Sequence, residues 1–275
     1  MEQERKIMSN FYGLIGEKLG HSLSPTIHGG VLSRLNENST YSLFEIKKEN
    51  LPAAVAGMKA MGCSGANVTI PYKIEIMDCL DKISNEAVKI GAINTIAFTE
   101  EGLVGYNTDY YGFGLTLKRA GIEVAGKTAV ILGPGGAAKA VVEYLLDNGI
   151  SEVTFVSRDP EKAAKKIRGH RIISYSELES LGNKDIIINC TPCGMHPVTD
   201  AAPVSRDVVE KFSTAVDLIY NPLETKFLKH AREAGLTSAN GLFMLVGQAA
   251  AAQEIWHGQK FSDEMVENIY NDIKG

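Results

Sequence analysis

The sequence lacks the features that would mark it for a membrane or for secretion. No apolar run approaches the ~20 residues that a helix needs to cross a bilayer. The first ten residues, MEQERKIMSN, have no apolar core of the kind that a signal peptide carries. Four cysteines among 275 residues are too few and too scattered for a disulfide framework. We therefore expect a cytoplasmic protein with reduced thiols.

The balance of charge excludes further classes of partner. The net charge is -5, and lysine and arginine nowhere form a block. Such a chain has no electrostatic footprint for nucleic acid or for an anionic membrane. With 44% hydrophobic and 22% charged residues, the composition is that of an ordinary globular protein of one or two domains. The expected partner is a small molecule, and the oligomeric state is left open between monomer and homodimer.

Cys190, Cys193 and His196 imitate part of a metal site. No second CxxC or HxxxH pair completes the four ligands of a structural zinc. The two cysteines also follow the strand-like DIIIN at a turn that contains Pro192 and Gly194. We expect a loop here and no metal.

The clearest local pattern is KTAVILGPGGAAKAVVEYLLDNGISEVTFVSRD. It predicts a strand at Thr128–Leu132, an alanine-rich helix that ends near an Asn-Gly pair, and a strand at 153–156. Strand-like runs at 185–189 and 215–218 continue the alternation. This order predicts a parallel sheet covered by helices, so residues 110–239 are expected to form one doubly wound domain.

The first hundred residues also alternate between strand and helix patterns. Strands are predicted near 11–16, 41–46 and 65–70, and helices near 25–37, 51–61 and 73–80. TIAFTEEGLVGYN predicts a hairpin that turns at Glu100-Glu101-Gly102. The helical pattern from NGLFMLVGQAAAAQEIWHG onward is expected to return to this part of the fold. We predict a second α/β domain built from residues 1–109 plus 240–275.

The glycine-rich turn GPGGAA predicts a cradle for a dinucleotide. Gly133 and Gly135 allow the tight turn and the approach of a pyrophosphate, and the small Ala138 permits close helix packing. The helix that starts here offers free N–H groups and the positive end of its dipole. A strand precedes this turn, and a second strand follows the helix at the spacing of a βαβ unit. We therefore expect phosphate binding by Gly133, Gly135, Gly136 and Ala137.

The end of the second strand selects the nicotinamide cofactor. NAD enzymes place an acidic group there, whereas the 2′-phosphate of NADP calls for an arginine. Here the chain reads Ser157-Arg158-Asp159, with Lys162 one turn later. Arg158 presents a planar fork and Ser157 a hydroxyl to a phosphate, which favours NADP. Asp159 keeps NAD open.

Short polar clusters lie outside the cradle. Ser24 is well placed as an N-cap with Pro25 at the first helical position, which leaves Ser22 unexplained. Two hydroxyls at a helix start would also suit a carboxylate ligand. The other polar residues at strand ends, turns or in an apolar helix are Thr69, Lys73, Asn94, Asp109 and Gln248. Asp109 is also explained as the cap of a helix beginning at Tyr110.

Taken together, the motifs resemble the shikimate/quinate dehydrogenase family nearly end to end. They are HSLSPTIH, GANVTIPYK, GAINTI, GYNTDYYGF, GPGGAAKA, NCTPCGM, DLIYNPLETKFL and NGLFMLVGQAA. The resemblance implies an N-terminal α/β substrate-binding domain, a Rossmann-type NADP-binding domain, and an active-site cleft between them. It also implies the reversible reduction of 3-dehydroshikimate to shikimate by NADPH.

The resemblance further implies a role for each polar residue. Lys73 and Asp109 form the catalytic pair. The substrate carboxylate is expected to bind to Ser22 and Ser24. The ring hydroxyls are expected to bind to Thr69, Asn94, Asp109 and Gln248. Tyr220 is expected beside the substrate, and Met195 and Gly241 at the cofactor.

Two roles for Lys73 stay open. An ammonium near the substrate oxygen can stabilise developing charge and then supply a proton. A neighbouring carboxylate raises the pKa of a lysine and desolvation lowers it, so a role limited to orientation is the alternative.

Three alternative functions for the whole protein are considered. The first is an NAD-preferring quinate/shikimate dehydrogenase, and the second is a silent paralogue that only binds nucleotide. The third is a folate dehydrogenase, for which Tyr72 next to Lys73 has the wrong spacing.

The sequence departs from the family pattern at several positions. Pro134 and Lys139 stand where alanine and arginine are usual, and Asp159 replaces a threonine of the NADP clamp. Gln253 stands where a phenylalanine is usual before Trp256. Pro134 removes one N–H from the cradle.

Overall fold

A computed structural model of the chain describes residues 10–20 and 22–275. The first nine residues, on which the expectation about a signal peptide largely depends, and His21 lie outside the described residues. The chain divides into two compact units. The first takes the chain up to Thr108 and resumes at Ala249–Gly275, and the second is Asp109–Gln248.

The first unit is built on a six-stranded mixed sheet with the strand order β2-β1-β3-β5-β6-β4. Its strands are β1 (Phe11–Gly16), β2 (Thr40–Glu45), β3 (Gly65–Val68), β4 (Lys82–Ile83), β5 (Thr95–Thr99) and β6 (Gly102–Tyr106). β1 is parallel to β2 and β3, whereas β5 is antiparallel to β3 and β6. The predicted β5–β6 hairpin therefore forms, with Thr99 opposite Gly102.

Helices cover this sheet and end where the sequence supplies turn residues. They are α1 (Ser24–Arg34), α2 (Leu51–Ala60), α3 (Asn85–Ile90), the end of α10 (Leu242–His257) and α11 (Asp263–Lys274). α3 ends at Gly91, whose φ of 67° is the left-handed conformation that glycine adopts without strain. The indole N–H of Trp256 donates to the Ile96 carbonyl at 3.0 Å, which anchors the end of α10 on the sheet.

The helix predicted at 73–80 is only a short 3₁₀ turn, Glu75–Cys79. The carbonyl of Lys73 accepts a hydrogen bond from the Ile93 N–H at 2.8 Å. Because that carbonyl bonds to Ile93, just before β5, and not to a residue one turn later, the first α-helical turn is not formed here. The consequence is that Lys73 lies in a loop that a long-range hydrogen bond holds in place.

The second unit is a six-stranded, wholly parallel sheet with the order β12-β11-β10-β7-β8-β9. Its strands are β7 (Thr128–Leu132), β8 (Glu152–Val156), β9 (Arg171–Ile173), β10 (Ile186–Asn189), β11 (Thr214–Asp217) and β12 (Thr237–Ala239). Its helices are α4 (Thr108–Arg119), α5 (Gly136–Asp147), α6 (Pro160–Ala164), α7 (Tyr175–Glu179), α8 (Arg206–Val209), α9 (Lys226–Glu233) and the start of α10. The predicted doubly wound sheet is confirmed, and the strand order reverses between β7 and β10.

Alternate residues of β7 pack on opposite faces of this sheet. Ala129 and Ile131 belong to one apolar cluster with residues of α5, and Val130 and Leu132 to another with residues of α9. A parallel strand that is covered on both faces reads as a continuous apolar run. The run TAVIL is therefore explained by burial on both sides.

Gln253, the residue that departs from the family pattern, lies in a buried polar cluster of the first unit. Its Nε2 donates to His28 Nδ1 at 2.9 Å, and its Oε1 accepts from His257 Nε2 at 2.9 Å. The other ring nitrogen of His257 lies 3.2 Å from the Glu37 carboxylate. Burial lowers the pKa of His28 to about 3, so this imidazole is neutral and accepts the amide proton.

Replacing Gln253 with leucine should remove both hydrogen bonds and leave one buried and one partly buried ring nitrogen without their amide partner. An unsatisfied buried polar group costs about 1–3 kcal/mol, so the free energy of unfolding should fall by about 2–4 kcal/mol. Urea denaturation at neutral pH measures this change. Gln259→Leu is the matched control, because Gln259 is exposed. Equal losses in the two variants would contradict the prediction.

Candidate active site

One edge of the first sheet brings together three of the predicted substrate residues, Thr69, Lys73 and Asn94. β1, β3 and β6 run in the same direction and β5 runs opposite, so the ends of β3 and β6 lie beside the start of β5. The Val68 N–H donates to the Asn94 carbonyl at 2.8 Å, and the Asn94 N–H donates to the Tyr106 carbonyl at 3.0 Å. Thr69 follows β3 directly and donates its N–H to the Ile15 carbonyl at 2.9 Å.

Lys73 is anchored to the same edge through its neighbours. Tyr72 is fully buried, donates its hydroxyl to the Ile46 carbonyl at 2.6 Å, and donates its N–H to the Thr69 carbonyl at 3.0 Å. Ile93, the residue before Asn94, holds the Lys73 carbonyl. The half-buried Lys73 is therefore brought close in the fold to Thr69 and Asn94.

The Asn94 side chain is fixed by the start of α4. Its Oδ1 accepts from the Thr108 N–H at 2.7 Å and from the hydroxyls of Thr95 and Thr108 at 3.0 and 3.1 Å. The expectation that α4 begins at Tyr110 is corrected, since the helix begins at Thr108. Asp109 lies inside the first turn, where a carboxylate suits the positive end of the dipole, and is not the residue before the helix.

Ser24 is not the N-cap of α1 that the sequence predicted. The helix begins at Ser24 itself, so Pro25 is its second residue and Ser24 is not its N-cap. The Ser22 hydroxyl accepts the Ser24 N–H at 3.2 Å, which satisfies one of the free helical donors. Both hydroxyls therefore lie at the N-terminal end of α1, where an anion is favoured.

Sequence reasoning missed Tyr41 and Asn67 as residues that support this edge. Tyr41 donates its hydroxyl to Asn67 Oδ1 at 2.8 Å. Asn67 Nδ2 donates to the Asn94 carbonyl and to the Thr95 hydroxyl at 3.3 and 3.0 Å. Burial raises the pKa of Tyr41, and a hydrogen bond with Ser24 opposes the rise, so Tyr41 is a neutral donor. The one signal in the sequence was an asparagine inside a strand, where asparagine is depleted.

The glycine turn of the second unit lies at the point where the strand order reverses. Gly133 has a φ of 89°, and a Cβ there would meet the Thr191 Cγ2 at 2.7 Å, so no larger residue fits. α5 begins at Gly136 with Gly135 as its N-cap, and no side chain caps its first N–H groups. The ends of β7 and β10 flank this turn. This arrangement fits a dinucleotide pyrophosphate, which binds at the switch point of a doubly wound sheet.

The residues after β8 divide into a local turn and an exposed cation. The Ser157 hydroxyl accepts from the Asp159 N–H at 3.1 Å and donates to the Asp159 carbonyl at 3.0 Å. The Asp159 carboxylate accepts from the Lys162 N–H at 2.9 Å and caps α6. Arg158 and Lys162 are exposed. The acidic group that kept NAD open is thus engaged in a helix cap, and the cationic side chains face solvent.

The remaining predicted residues are spread over three segments of the second unit. Met195 is 45% exposed and follows β10, and the half-buried Tyr220 follows β11. Gly241 donates its N–H to the Ile219 carbonyl at 3.0 Å, and any Cβ on it would overlap the Leu218 carbonyl. Gln248 is half-buried on α10 and donates its amide to the Leu245 carbonyl at 2.9 Å.

Within residues 10–20 and 22–275, no three histidine, cysteine or acidic side chains come together in a group that could hold a metal ion. None of their helices is both long and apolar enough for a bilayer crossing. The four cysteines, which lie in this part of the chain, are unpaired.

Comparison with known proteins matches both units. The model described as the shikimate dehydrogenase substrate binding domain matches residues 14–96, and the one described as shikimate / quinate 5-dehydrogenase matches residues 115–219. A shikimate dehydrogenase (NADP⁺) of Clostridium perfringens strain 13 is 51% identical over 265 residues, which cover 96% of this chain and 98% of the relative.

Solved structures agree with this relationship. A chorismate mutase/shikimate 5-dehydrogenase fusion protein from Clostridium acetobutylicum is 49% identical with a TM-score of 0.94, and the match covers 97% of each chain. A shikimate 5-dehydrogenase from Thermus thermophilus, in complex with NADP(H) and shikimate, is 32% identical with a TM-score of 0.84, covering 96% of this chain and 99% of that one. The chain belongs to the shikimate dehydrogenase family.

Proposed function

We propose that this protein is an NADP-dependent shikimate dehydrogenase that reversibly reduces 3-dehydroshikimate to shikimate, a step of chorismate and aromatic amino acid biosynthesis. The observation that carries the proposal is the sheet edge where Thr69, Lys73 and Asn94 are held close together. It offers a cation, a hydroxyl and an amide to one small polyol. Family membership supplies the identity of the ring.

The proposed division of labour follows the chain. Residues 1–109 with 240–275 bind substrate, and residues 110–239 bind NADP. The residues assigned to the substrate are Ser22, Ser24, Thr69, Lys73, Asn94, Asp109, Tyr220 and Gln248. The place of the enzyme in metabolism makes the cytoplasm its proposed location, and monomer and homodimer both accommodate this division.

The chemistry assigned to Lys73 follows from where charge develops. NADPH, when bound, supplies the hydride. As the carbonyl carbon is reduced, negative charge grows on its oxygen, and the Lys73 ammonium stabilises that charge and then donates the proton. Asp109 is the proposed partner of Lys73, because a carboxylate favours the charged form of a lysine. Thr69 and Asn94 orient the ring through its hydroxyls.

The residues assigned to the cofactor fit a dinucleotide with a 2′-phosphate. Gly133, Gly135, Gly136 and Ala137 would hold the pyrophosphate, and Met195 and Gly241 would lie at the nicotinamide end. Arg158 and Lys162 would hold the 2′-phosphate through charge-assisted hydrogen bonds. Ser157 contributes less as a direct ligand, since its hydroxyl already bonds to Asp159 in both directions.

A cofactor-by-substrate assay tests the proposal. Purified protein is given shikimate or quinate, each with NADP⁺ or NAD⁺, and reduced nicotinamide is followed by absorbance. Shikimate with NADP⁺ should give the highest kcat/KM, by about 100-fold over NAD⁺, since about 3 kcal/mol is expected from a bound phosphate. A preference for NAD⁺ or quinate would make this the quinate-type enzyme. Absence of all four reactions, with NADP⁺ still bound, would make it a silent nucleotide-binding paralogue.

A further inference from the structure

Asp217, at the end of β11, is a buried charge that the proposed mechanism does not use. The side chain is 0% exposed. Its Oδ1 accepts from Asn189 Nδ2 at 3.0 Å and from the Ile219 N–H at 3.1 Å, and its Oδ2 accepts from the Thr225 hydroxyl at 2.6 Å. These three donors belong to three different segments of the second unit.

The first segment carries Met195. Asn189 is itself 0% exposed, and its Oδ1 accepts from both the N–H and the hydroxyl of Thr191, at 3.0 and 2.7 Å. The Thr191 hydroxyl in turn accepts from the Cys193 N–H at 3.2 Å. The Met195 N–H closes the loop on the Pro192 carbonyl at 3.1 Å. Asp217 therefore reaches the Met195 loop through one fixed amide.

The second segment carries Tyr220 and supports Gly241. Ile219, whose N–H bonds to Asp217, directly precedes Tyr220 and accepts the Gly241 N–H at 3.0 Å. The third segment is the start of α9, since Thr225 is the N-cap of that helix. One carboxylate thus connects the segments of Met195 and Tyr220 with the start of α9, and Gly241 joins them through its hydrogen bond to Ile219.

We propose that Asp217 is a positioning residue, whose buried carboxylate holds the Met195, Tyr220 and Gly241 segments in the arrangement that hydride transfer at the nicotinamide requires. It acts through Asn189, Ile219 and Thr225. The inference rests on the proposed function, because Met195, Gly241 and Tyr220 are assigned to the cofactor and the substrate there. The second carboxylate oxygen accepts the Thr225 hydroxyl proton, whereas an amide nitrogen in its place would donate to that hydroxyl and leave its proton without this acceptor.

The buried charge is costly, which argues that the carboxylate is kept for its bonds. Desolvation raises the pKa of Asp217 to about 6, and its three hydrogen bonds oppose the rise. Three donors meet its two oxygens, which is the pattern that a carboxylate accepts. Because its folded pKa lies above the ordinary 3.8, this residue contributes stability that is lost as the pH rises toward and through about 6.

The test compares Asp217→Asn with the wild type in cofactor binding and turnover. The amide keeps the shape and the Asn189 and Ile219 bonds but faces Thr225 with a donor. NADPH affinity is measured by nicotinamide fluorescence. The affinity for 2′,5′-ADP, which has the 2′-phosphate and no nicotinamide, is measured by calorimetry. We expect kcat to fall at least tenfold and NADPH to bind more weakly, with 2′,5′-ADP affinity changed less than twofold.

Asp185→Asn is the matched control, because Asp185 bonds to Thr128 at the opposite end of the same sheet. It should leave kcat and both affinities unchanged. Thr225→Val should lower kcat and NADPH affinity, whereas Thr225→Ser, which keeps the hydroxyl, should retain both. This pair of variants tests the inference if Asp217→Asn folds poorly. Unchanged kcat in Asp217→Asn, or equal weakening of NADPH and 2′,5′-ADP, overturns the inference. Should the wild type reduce no substrate, the proposed function fails, and the contrast between NADPH and 2′,5′-ADP still tests the role of Asp217.

Discussion

Replacing Lys73 with methionine should lower kcat for the reduction of 3-dehydroshikimate by about 10³-fold, because general acid catalysis is worth about 10²–10⁴ in rate. Methionine keeps much of the length of the side chain and removes the charge and the proton. The main chain at this position should be retained, since Tyr72 and Ile93 hold it through bonds that the substitution does not touch. Steady-state kinetics at several pH values, in both directions, give kcat and KM separately.

The comparison of kcat with KM distinguishes the two roles left open for Lys73. A fall in kcat at nearly constant KM supports an acid and base that acts in the transition state. A rise in KM alone would leave Lys73 with substrate orientation only. Lys59→Met, at an exposed position on α2, is the control and should behave as the wild type.

Asp109→Asn tests whether Lys73 and Asp109 act as a pair. Residues that work as one unit show non-additive effects, so the double variant should be hardly slower than Lys73→Met alone. Multiplying losses would mean that Asp109 contributes independently, as expected for a residue that only binds a ring hydroxyl. Both variants need a check of the unfolding transition, because Asp109 lies in the first turn of α4.

Much of the fold could be predicted because its signals are local. The run at Thr128–Leu132, the glycine turn and the alanine-rich helix each carry their own pattern, and the structure places all three where the sequence indicated. β9 and β12 could not be predicted, since strands of three residues are too short to show a period. Their place in the sheet depends on neighbours that are distant in the chain.

The sequence indicated candidate residues for the site, whose roles stay predictions, but it did not indicate the residues that support them. Asp217 and Asn67 read as ordinary polar residues in the sequence. Their importance arises from hydrogen bonds to Thr225, Asn189 and Asn94, of which the bonds to Asn189 and Asn94 span nearly 30 positions of the chain. Gln253 also gained an explanation only from the structure, because its partner His28 lies on a helix 225 positions away in the chain. A single sequence has no local pattern that indicates such pairings.

The second large effect is expected at the cofactor clamp. Arg158→Gln should raise the KM for NADP⁺ by about 10- to 100-fold, because a charge-assisted hydrogen bond is worth about 1.5–3 kcal/mol. The KM for NAD⁺, which has no 2′-phosphate, should change less than threefold. Initial rates with both cofactors at saturating shikimate give kcat/KM for each cofactor. The ratio of kcat/KM for NADP⁺ to kcat/KM for NAD⁺ should fall by about the same factor. Arg168→Gln, another exposed arginine in the segment after β8, should leave the ratio unchanged.

The hydrogen bonds of Asp159 determine whether Arg158→Gln turns the protein into one that prefers NAD⁺. In an NAD enzyme the acidic side chain after the second strand is available to the ribose hydroxyls. Here the Asp159 carboxylate caps α6 through the Lys162 N–H, so removing Arg158 should not by itself create tight NAD⁺ binding. Asp159→Asn keeps a capping oxygen and removes the charge. If Asp159→Asn alone raised the NADP⁺ preference by tenfold or more, the carboxylate would be opposing the phosphate, and its assignment as a helix cap alone would be wrong.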